Sequence, residues 1–374
     1  MSTRKVLISL VGGQSYPIYA QLMNSNPDIL LLVHSDRTHD IATYIERLVI
    51  SKRPQIKVTR QKLSAQDHKQ DDLCINAMVN VWCKPENDVW INLIGGTKHW
   101  SLLFYKHFQG HAHFVVIDQN NKELNLDTLE ETHVEPLITI DEIFGLHGVE
   151  ATYRSINEYT LEDLKCVEQI ERLRQCNYKV FNMITRYLSE HPNETEYEIE
   201  SCYIRETPAG YDCHFERTNS RGFTHQANET LTSSHARQLL LNTGWFEYKV
   251  ANVISRWYEV DQVWLNCEIK TDSDPNPINE LDIVVLTKSH KWLMVECKTQ
   301  IYEGTNIDKF SEVVRKYTGI GSKKIFVTEK LMGAKHQSRC KFSQIDYFNM
   351  EEILSNINAF YDRLSKLMIT INPQ

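Results

Sequence analysis

The sequence predicts an α/β fold in three parts, and three observations predict it. Up to about residue 150, short apolar runs alternate with stretches of helical period, the order of a mostly parallel sheet covered on both faces. From about residue 233 the order becomes helix, three strands, helix, strand, which is a second α/β unit. Between them, residues 151–232 begin with helical spacing and turn polar and turn-rich, which we read as a small helical or winged-helix-like module.

Each element has a local reason. RKVLISLVGG is a buried strand ending in glycines, and the helix after it runs from about Tyr16 to Asn24, with Pro17 tolerated in its first turn. DILLLVHS is the second strand and HDIATYIERLVIS its helix; IKVTRQKL is the third strand and DHKQDDLCINAMVNVWCK its helix. DVWINLIGG is the fourth strand and TKHWSLLFYKHF its helix, while HAHFVVIDQ and KELNLDT form a hairpin around Asn120 and Asn121. In the middle, LEDLKCVEQIERLRQCNYKVFNMITRYLSE has helical spacing. In the last part HARQLLLNTGWFEYKVANVISRW is helical and broken near Gly244. EVDQVWLNCEIK, ELDIVVL and KWLMVECKT are strands, IDKFSEVVRKYTG a helix, KKIFVTE a strand, and a C-terminal helix ends near Met368.

Composition narrows the function classes. A hydrophobic share of 41% supports real cores, and 24% charged residues is ordinary for a globular chain. The formal net charge of -8 argues against a protein that coats DNA nonspecifically, though a local basic groove is still compatible with nucleic acid. The 9 cysteines include no C-x-x-C pair, so neither a zinc finger nor a disulfide framework is expected. MSTRKVLISLVGG lacks the shape of a signal peptide, and no apolar window approaches a membrane span. A cytoplasmic protein without a membrane segment is the expectation.

The chemistry concentrates in ELDIVVLTKSHKWLMVECKTQ, residues 280–300. If its two apolar runs pair as a hairpin centred on Ser289, Leu286 faces Trp292 and Asp282 faces Glu296. Facing side chains in an antiparallel pair lie about 5 Å apart, and Lys298, two residues beyond Glu296, shares that face. Cys297 then points into the core. Two carboxylates so close repel each other, and a divalent cation relieves the conflict; oxygen ligands favour Mg²⁺ or Mn²⁺. Such a cation activates water against a phosphodiester, while Lys298 orients or deprotonates that water or stabilises the transition-state oxygens. Glu247, in the helix before the sheet, is a further candidate ligand, and Glu280 competes for that role. An isolated E-x-K on a strand is most often a solvated Glu–Lys pair. The apolar ladder, the opposing Asp282 and the element order favour the catalytic reading.

The spacing D-x(13)-E-x-K resembles that of the PD-(D/E)xK nuclease superfamily, with its restriction-endonuclease-like core. The resemblance implies metal ligation by Asp282 and Glu296 and a catalytic role for Lys298. Leu281 stands where the motif's proline would precede the aspartate.

Two glycine loops mark the N-terminal part: VGGQSYP after the first strand and IGGTKHW after the fourth. In the usual doubly wound order these strands are neighbours, so Gly12, Gly13, Gln14, Ser15, Gly95, Gly96, Thr97 and Lys98 would flank one crevice at the strands' carboxyl ends. Each loop opens a helix whose N–H groups favour phosphate. Neither loop matches G-x-G-x-x-G or the P-loop, so NAD and ATP have no motif support.

The loops, GGTK above all, resemble the CARF domain, the Rossmann-like cyclic-oligoadenylate sensor of type III CRISPR systems. With the C-terminal core, the whole chain resembles the CARF-nuclease family of CRISPR ancillary effectors. That resemblance implies a homodimer with cyclic tetra-adenylate across its two-fold axis. It also implies metal-dependent cleavage of single-stranded RNA and DNA, or nicking of plasmid DNA. Two competitors are a stand-alone restriction or repair endonuclease, and a non-enzymatic regulator that binds DNA through the middle module.

Weaker signals are the pair His111 and His113 with Asp118 nearby, the loop residues Asp36 and Arg37, the basic stretch KHQSRCK (335–341) with Lys323 and Lys324, and the aromatic residues Tyr302 and Tyr317. Each has an ordinary structural explanation beside its functional one.

Overall fold

The structure is a computed structural model that describes residues 3–117, 121–134, 138–241, 243–271, 274–301, 303–318 and 322–369. In the first part β1 (Arg4–Leu10), α1 (Tyr16–Ser25), β2 (Ile29–His34), α2 (His39–Lys52), β3 (Lys57–Lys62), α3 (His68–Trp82), β4 (Asn87–Asn92), α4 (Lys98–Phe108) and β5 (His113–Ile117) alternate as the sequence predicts. With β6 (Lys122–Asn125) and β7 (Glu131–His133) they form a seven-stranded sheet in the order β3-β2-β1-β4-β5-β6-β7. It is parallel through β5 and antiparallel beyond. The β5–β6 hairpin is present; Asp118 and Asn120 at its turn lie outside the described residues.

The middles of the inner strands, Val6–Ile8 of β1 and Ile29–Val33 of β2, are apolar because both faces are covered. Leu7, Leu30 and Leu32 pack on α1 and α2, whereas Val6, Ile8, Leu31 and Val33 pack on α3 and α4.

The next two elements reach out of this part. α5 (Ile140–Gly145) buries Ile140, Ile143 and Phe144 in the core of the third part, while Leu146 just after it packs in the core of the first. β8 (Glu150–Ser155) pairs antiparallel with a strand of the third part rather than opening the middle module.

α6 (Leu161–Cys176) and α7 (Tyr178–Glu190) follow, and then β9 (Glu196–Ile199), β10 (Cys202–Thr207), β11 (Gly210–Thr218) and β12 (Thr224–Leu231), a four-stranded antiparallel sheet. The polar text that suggested a helical or winged-helix-like module is thus a meander with one wet face. Tyr211, Cys213 and Phe215 turn inward at every second residue, and the charged residues between them face water.

The third part comprises α8 (Ala236–Leu240), α9 (Gly244–Ile254), β13 (Val260–Thr271), β14 (Asp274–Thr287), β15 (Trp292–Lys298), α10 (Thr305–Thr318), β16 (Lys323–Thr328), α11 (Ala334–Phe342), β17 (Asp346–Asn349), α12 (Met350–Ser355) and α13 (Ile357–Ile369). Its sheet has the order β17-β16-β15-β14-β13-β8, with β15, β16 and β17 parallel. One face is covered by α8, α9 and α13, in one core that runs on into α6, α7 and the four-stranded sheet. The other is covered by α5, α10 and α11. No helix among the described residues is long and apolar enough to cross a membrane.

Candidate active site

The hairpin of β14 and β15 has the register counted from Ser289: Leu286 opposite Trp292, and Ile283 opposite Val295. One step further brings Asp282 to Glu296. There the Cys297 amide donates to Asp282 Oδ2 at 2.7 Å, so the carboxylate takes part in the backbone network. Lys298 Nζ lies 2.8 Å from Glu296 Oε1 and 3.4 Å from Asp282 Oδ2. Cys297 is fully buried, as its alternation requires.

Simple alternation does not account for the whole site. On β13, Asn266 takes a left-handed φ of 52° at the level of Asp282. Across that level both strands exchange faces. Val263, Leu265, Ile283 and Val285 belong to one core, but Cys267, Ile269 and Leu281 belong to the core on the opposite side. The reversal opens the sheet where the acidic groups gather. Asn266 Nδ2 also donates to Glu247 Oε2 at 3.0 Å, and its Oδ1 accepts from Gln238 Nε2 at 2.6 Å.

Glu247 reaches the cluster from α9 and is buried. The chain turns at Thr243, with φ 67°, and Gly244 packs so closely that a Cβ would lie 2.2 Å from the Gln238 carbonyl oxygen. The Thr243 hydroxyl donates to Glu247 Oε1 at 3.3 Å. Asn266 and Gln238 are site residues that sequence reasoning missed; the tolerance of Asn for left-handed backbone is the only local signal for the first.

The electrostatics show an excess of negative charge. Burial, then the neighbouring Asp282, pushes the Glu296 carboxyl up to about 7. Burial, with Asp282 and Glu280 behind it, holds Glu247 well above the usual carboxylate range. Glu280, on the exposed side, is raised by desolvation and Asp282. For Lys298 burial works against the charge, but Asp282 and Glu296 outweigh it and the ammonium is stabilised. One lysine thus compensates several carboxyl groups, three of which are raised toward protonation.

This oxygen-only set fits a hard divalent cation. Among the described residues no three His, Cys, Asp or Glu side chains form a ligating group. Asp282 and Glu296 share the contact with Lys298 Nζ and are the pair that a cation would approach.

In the first part, β1 and β4 are adjacent, and their glycine loops touch. A Cβ on Gly95 would sit 1.9 Å from the Leu10 carbonyl oxygen, and one on Gly12 3.1 Å from the Gly96 amide nitrogen. Those two glycines serve close packing of loop on loop, whereas Gly13 faces open space. A cavity of about 730 Å³ opens beside them, lined by Gly12, Gly13, Gly96 and Thr97 together with Ser35–Thr38 and Lys62–Gln66. Asp36 and Arg37 are thereby placed in the crevice, Asp36 paired with Lys62 at 2.6 Å. Thr97 caps α4, its hydroxyl accepting from the Trp100 amide. Lys98 is exposed in the first turn of α4, and neither it nor Gln14, Ser15 and Gly95 lines this cavity. Ser15 is buried with its hydroxyl unpartnered.

His113 contacts Asp127 at 3.0 Å. Lys324 donates to Ser311 and to the Ser343 carbonyl, Lys323 and Tyr317 are buried, and Arg339 of KHQSRCK pairs with Asp308. Tyr302 lies outside the described residues.

Residues 234–339 match the sequence family described as Card1-like, endonuclease domain, a span that contains the whole carboxylate–lysine cluster. No curated protein matches the chain by sequence. Among solved structures, the chain is similar to Can2 from Sulfobacillus thermosulfidooxidans, a structure in complex with cyclic tetra-adenylate, at 17% identity and TM-score 0.69, covering 98% of this chain and 100% of the other. It is also similar to protein VC1899 from Vibrio cholerae, at 14% identity and TM-score 0.75, over 98% and 99% of the two chains. A type III CRISPR defence DNA nuclease activated by cyclic oligoadenylate matches at 16% identity and TM-score 0.57, over 88% of this chain but 46% of that one. At these identities the likeness establishes a common fold, which here extends from end to end.

Proposed function

We propose that this chain is a metal-dependent endonuclease of type III CRISPR defence, activated by a cyclic oligoadenylate. The observation that carries the reading is the convergence of Asp282, Glu296 and Lys298 on one point, inside the span that matches an endonuclease domain. The end-to-end likeness to a chain solved with cyclic tetra-adenylate supports the sensor half, and a cavity at the carboxyl ends of β1 to β4 offers room for a ligand. In this reading the ring-shaped activator lies across the axis of a homodimer, each chain supplying one crevice.

Asp282 and Glu296 are the side chains that hold Mg²⁺ or Mn²⁺, which when bound supplies a more acidic water and positive charge against the scissile phosphate. Lys298, held as an ammonium by its neighbours, places its N–H groups toward the phosphate oxygens; its stabilised charge favours this role over that of a base. Glu247, kept near Asp282 by Asn266 and Thr243, biases the cluster toward taking up a cation. The substrate is single-stranded RNA, single-stranded DNA or plasmid DNA.

Coupling between the halves runs through α5. Tyr19 of α1 donates to Glu142 Oε1 at 2.6 Å, while the apolar side of the same helix sits in the core under β14 and β15. A ligand that favours one arrangement of the first part therefore bears on the catalytic sheet.

The test is a cleavage assay with Mn²⁺ on single-stranded RNA, single-stranded DNA and supercoiled plasmid, with and without cyclic tetra-adenylate. Cleavage that requires both metal and activator is expected. Cleavage indifferent to the activator, or none on any substrate, refutes the reading.

A further inference from the structure

A nuclease has to hold its substrate as well as cut it, and the surface around the catalytic carboxylates is acidic. The end of the β11–β12 hairpin differs: from Arg217 to Thr224 its only charged side chains are Arg217 and Arg221. Its tip, Asn219 to Phe223, is rigid. Asn219 Oδ1 accepts from the Arg221 amide at 2.9 Å and the Phe223 amide at 3.1 Å, and the Asn219 amide donates to the Phe223 carbonyl at 2.9 Å. Gly222 supplies the φ of 80° that this turn needs. The turn presents Phe223 with 67% of its surface exposed. Arg217, at the end of β11, and Arg221, within the turn, are exposed, and neither forms an ion pair among the described residues. Below the tip is a trough of about 740 Å³, lined by Arg172, Gln175, Arg217, His225 and Asn228 among others. The carboxylates beside it are already engaged: Glu229 by a two-pronged bond from Arg172, and Glu216 by Ser201 and Gln226.

The hairpin is moored to the segment that reaches the catalytic strand. Asn177, between α6 and α7, donates to the Glu216 carbonyl at 2.9 Å. The next residue, Tyr178, lies under Lys330 Nζ at 4.7 Å. On the same turn of α6, Arg174 forks onto Glu329 at 2.9 Å, and the Glu329 amide donates to the Lys298 carbonyl at 3.2 Å.

We propose that the β11–β12 hairpin is a contact for the substrate strand, in which Arg217 and Arg221 hold phosphates and Phe223 stacks on an unpaired base. Unpaired guanidinium groups beside an exposed aromatic ring on a stiff support suit single-stranded nucleic acid, whose backbone is anionic and whose bases expose a π face. A protein partner would find no continuous apolar face at this tip. The inference rests on the nuclease reading and names where its substrate is held.

The experiment measures binding, with cleavage suppressed by EDTA. Fluorescence anisotropy follows labelled single-stranded DNA, single-stranded RNA and duplex DNA of the same sequence, with and without cyclic tetra-adenylate. The parent is compared with Phe223→Ala and with Arg217→Ala/Arg221→Ala. The first variant should weaken single-strand binding roughly tenfold, leaving the salt slope unchanged. The double variant should reduce the slope of log affinity against log salt by about 1.4, for two lost phosphate contacts. Phe223→Trp and the Arg→Lys pair should restore most of each loss, which separates contact from folding. Variants that bind with the parent's affinity and slope overturn the proposal alone. A parent that binds no nucleic acid in any condition overturns the nuclease reading with it. Unchanged nucleic-acid binding with loss of a protein partner would reassign the hairpin to a protein and also overturn it.

Discussion

Replacing Glu296 by Gln tests whether the acidic cluster stores electrostatic strain that a cation relieves. The Glu296 carboxyl is largely shielded from water and rises from 4.5 to about 7. At roughly 1.4 kcal/mol per pKa unit, its ionisation then costs about 3 kcal/mol in the folded protein relative to the unfolded chain. Between pH 4.5 and 7 the folded state holds the extra proton, so stability falls as pH rises through that window. Gln at this position removes the titration. The Lys298 ion pair forms only as Glu296 ionises and is already included in that raised pKa, so it is not counted again. In EDTA, the melting temperature of Glu296→Gln relative to the parent should therefore increase between pH 5 and pH 8, by roughly 5 °C. Adding Mn²⁺ at pH 8 should stabilise the parent and leave the variant nearly unchanged, because a ligand stabilises only the state that binds it. A difference in melting temperature that stays constant from pH 5 to pH 8 would refute the assigned strain. A variant stabilised by Mn²⁺ as much as the parent would remove Glu296 from the metal ligands.

Three further substitutions address other parts. Lys298→Met should lower cleavage at least 100-fold while the affinity for cyclic tetra-adenylate, measured by calorimetry, stays at the parent's value. Gly95→Ala cannot be accommodated where a Cβ would lie 1.9 Å from the Leu10 carbonyl oxygen, so the β1 and β4 loops must separate; loss of activator binding, with metal binding retained, is the expected result. Arg174→Ala strands the Glu329 carboxylate; a loss of roughly 3 kcal/mol in urea unfolding is expected, together with a lower kcat from loosening of the Lys298 backbone.

Much of the catalytic hairpin was legible because its chemistry is local. Asp282 and Glu296 are equidistant from Ser289, and a two-stranded pairing with a short turn leaves little freedom of register. The alternation of the first part was equally plain, and the adjacency of β1 and β4 followed from the usual winding of such sheets. The four-stranded sheet of the middle was not legible, since its outward residues are charged and only every second residue of β11 is apolar. β8 and α5 were not read as elements from the sequence, because a short element declares its partner only once the larger sheet exists.

The sequence by itself determined the strand–helix alternation of the first part and the hairpin register that carries Asp282 toward Glu296. Only the tertiary structure decided that Asn266 reverses the faces of β13 and β14, that Glu247 arrives from α9, and that Lys98 stays outside the cavity its loop borders. The physical reason is range. Period and register act between residues close along the chain, whereas burial, charge coupling and close backbone approach depend on groups that meet only after folding.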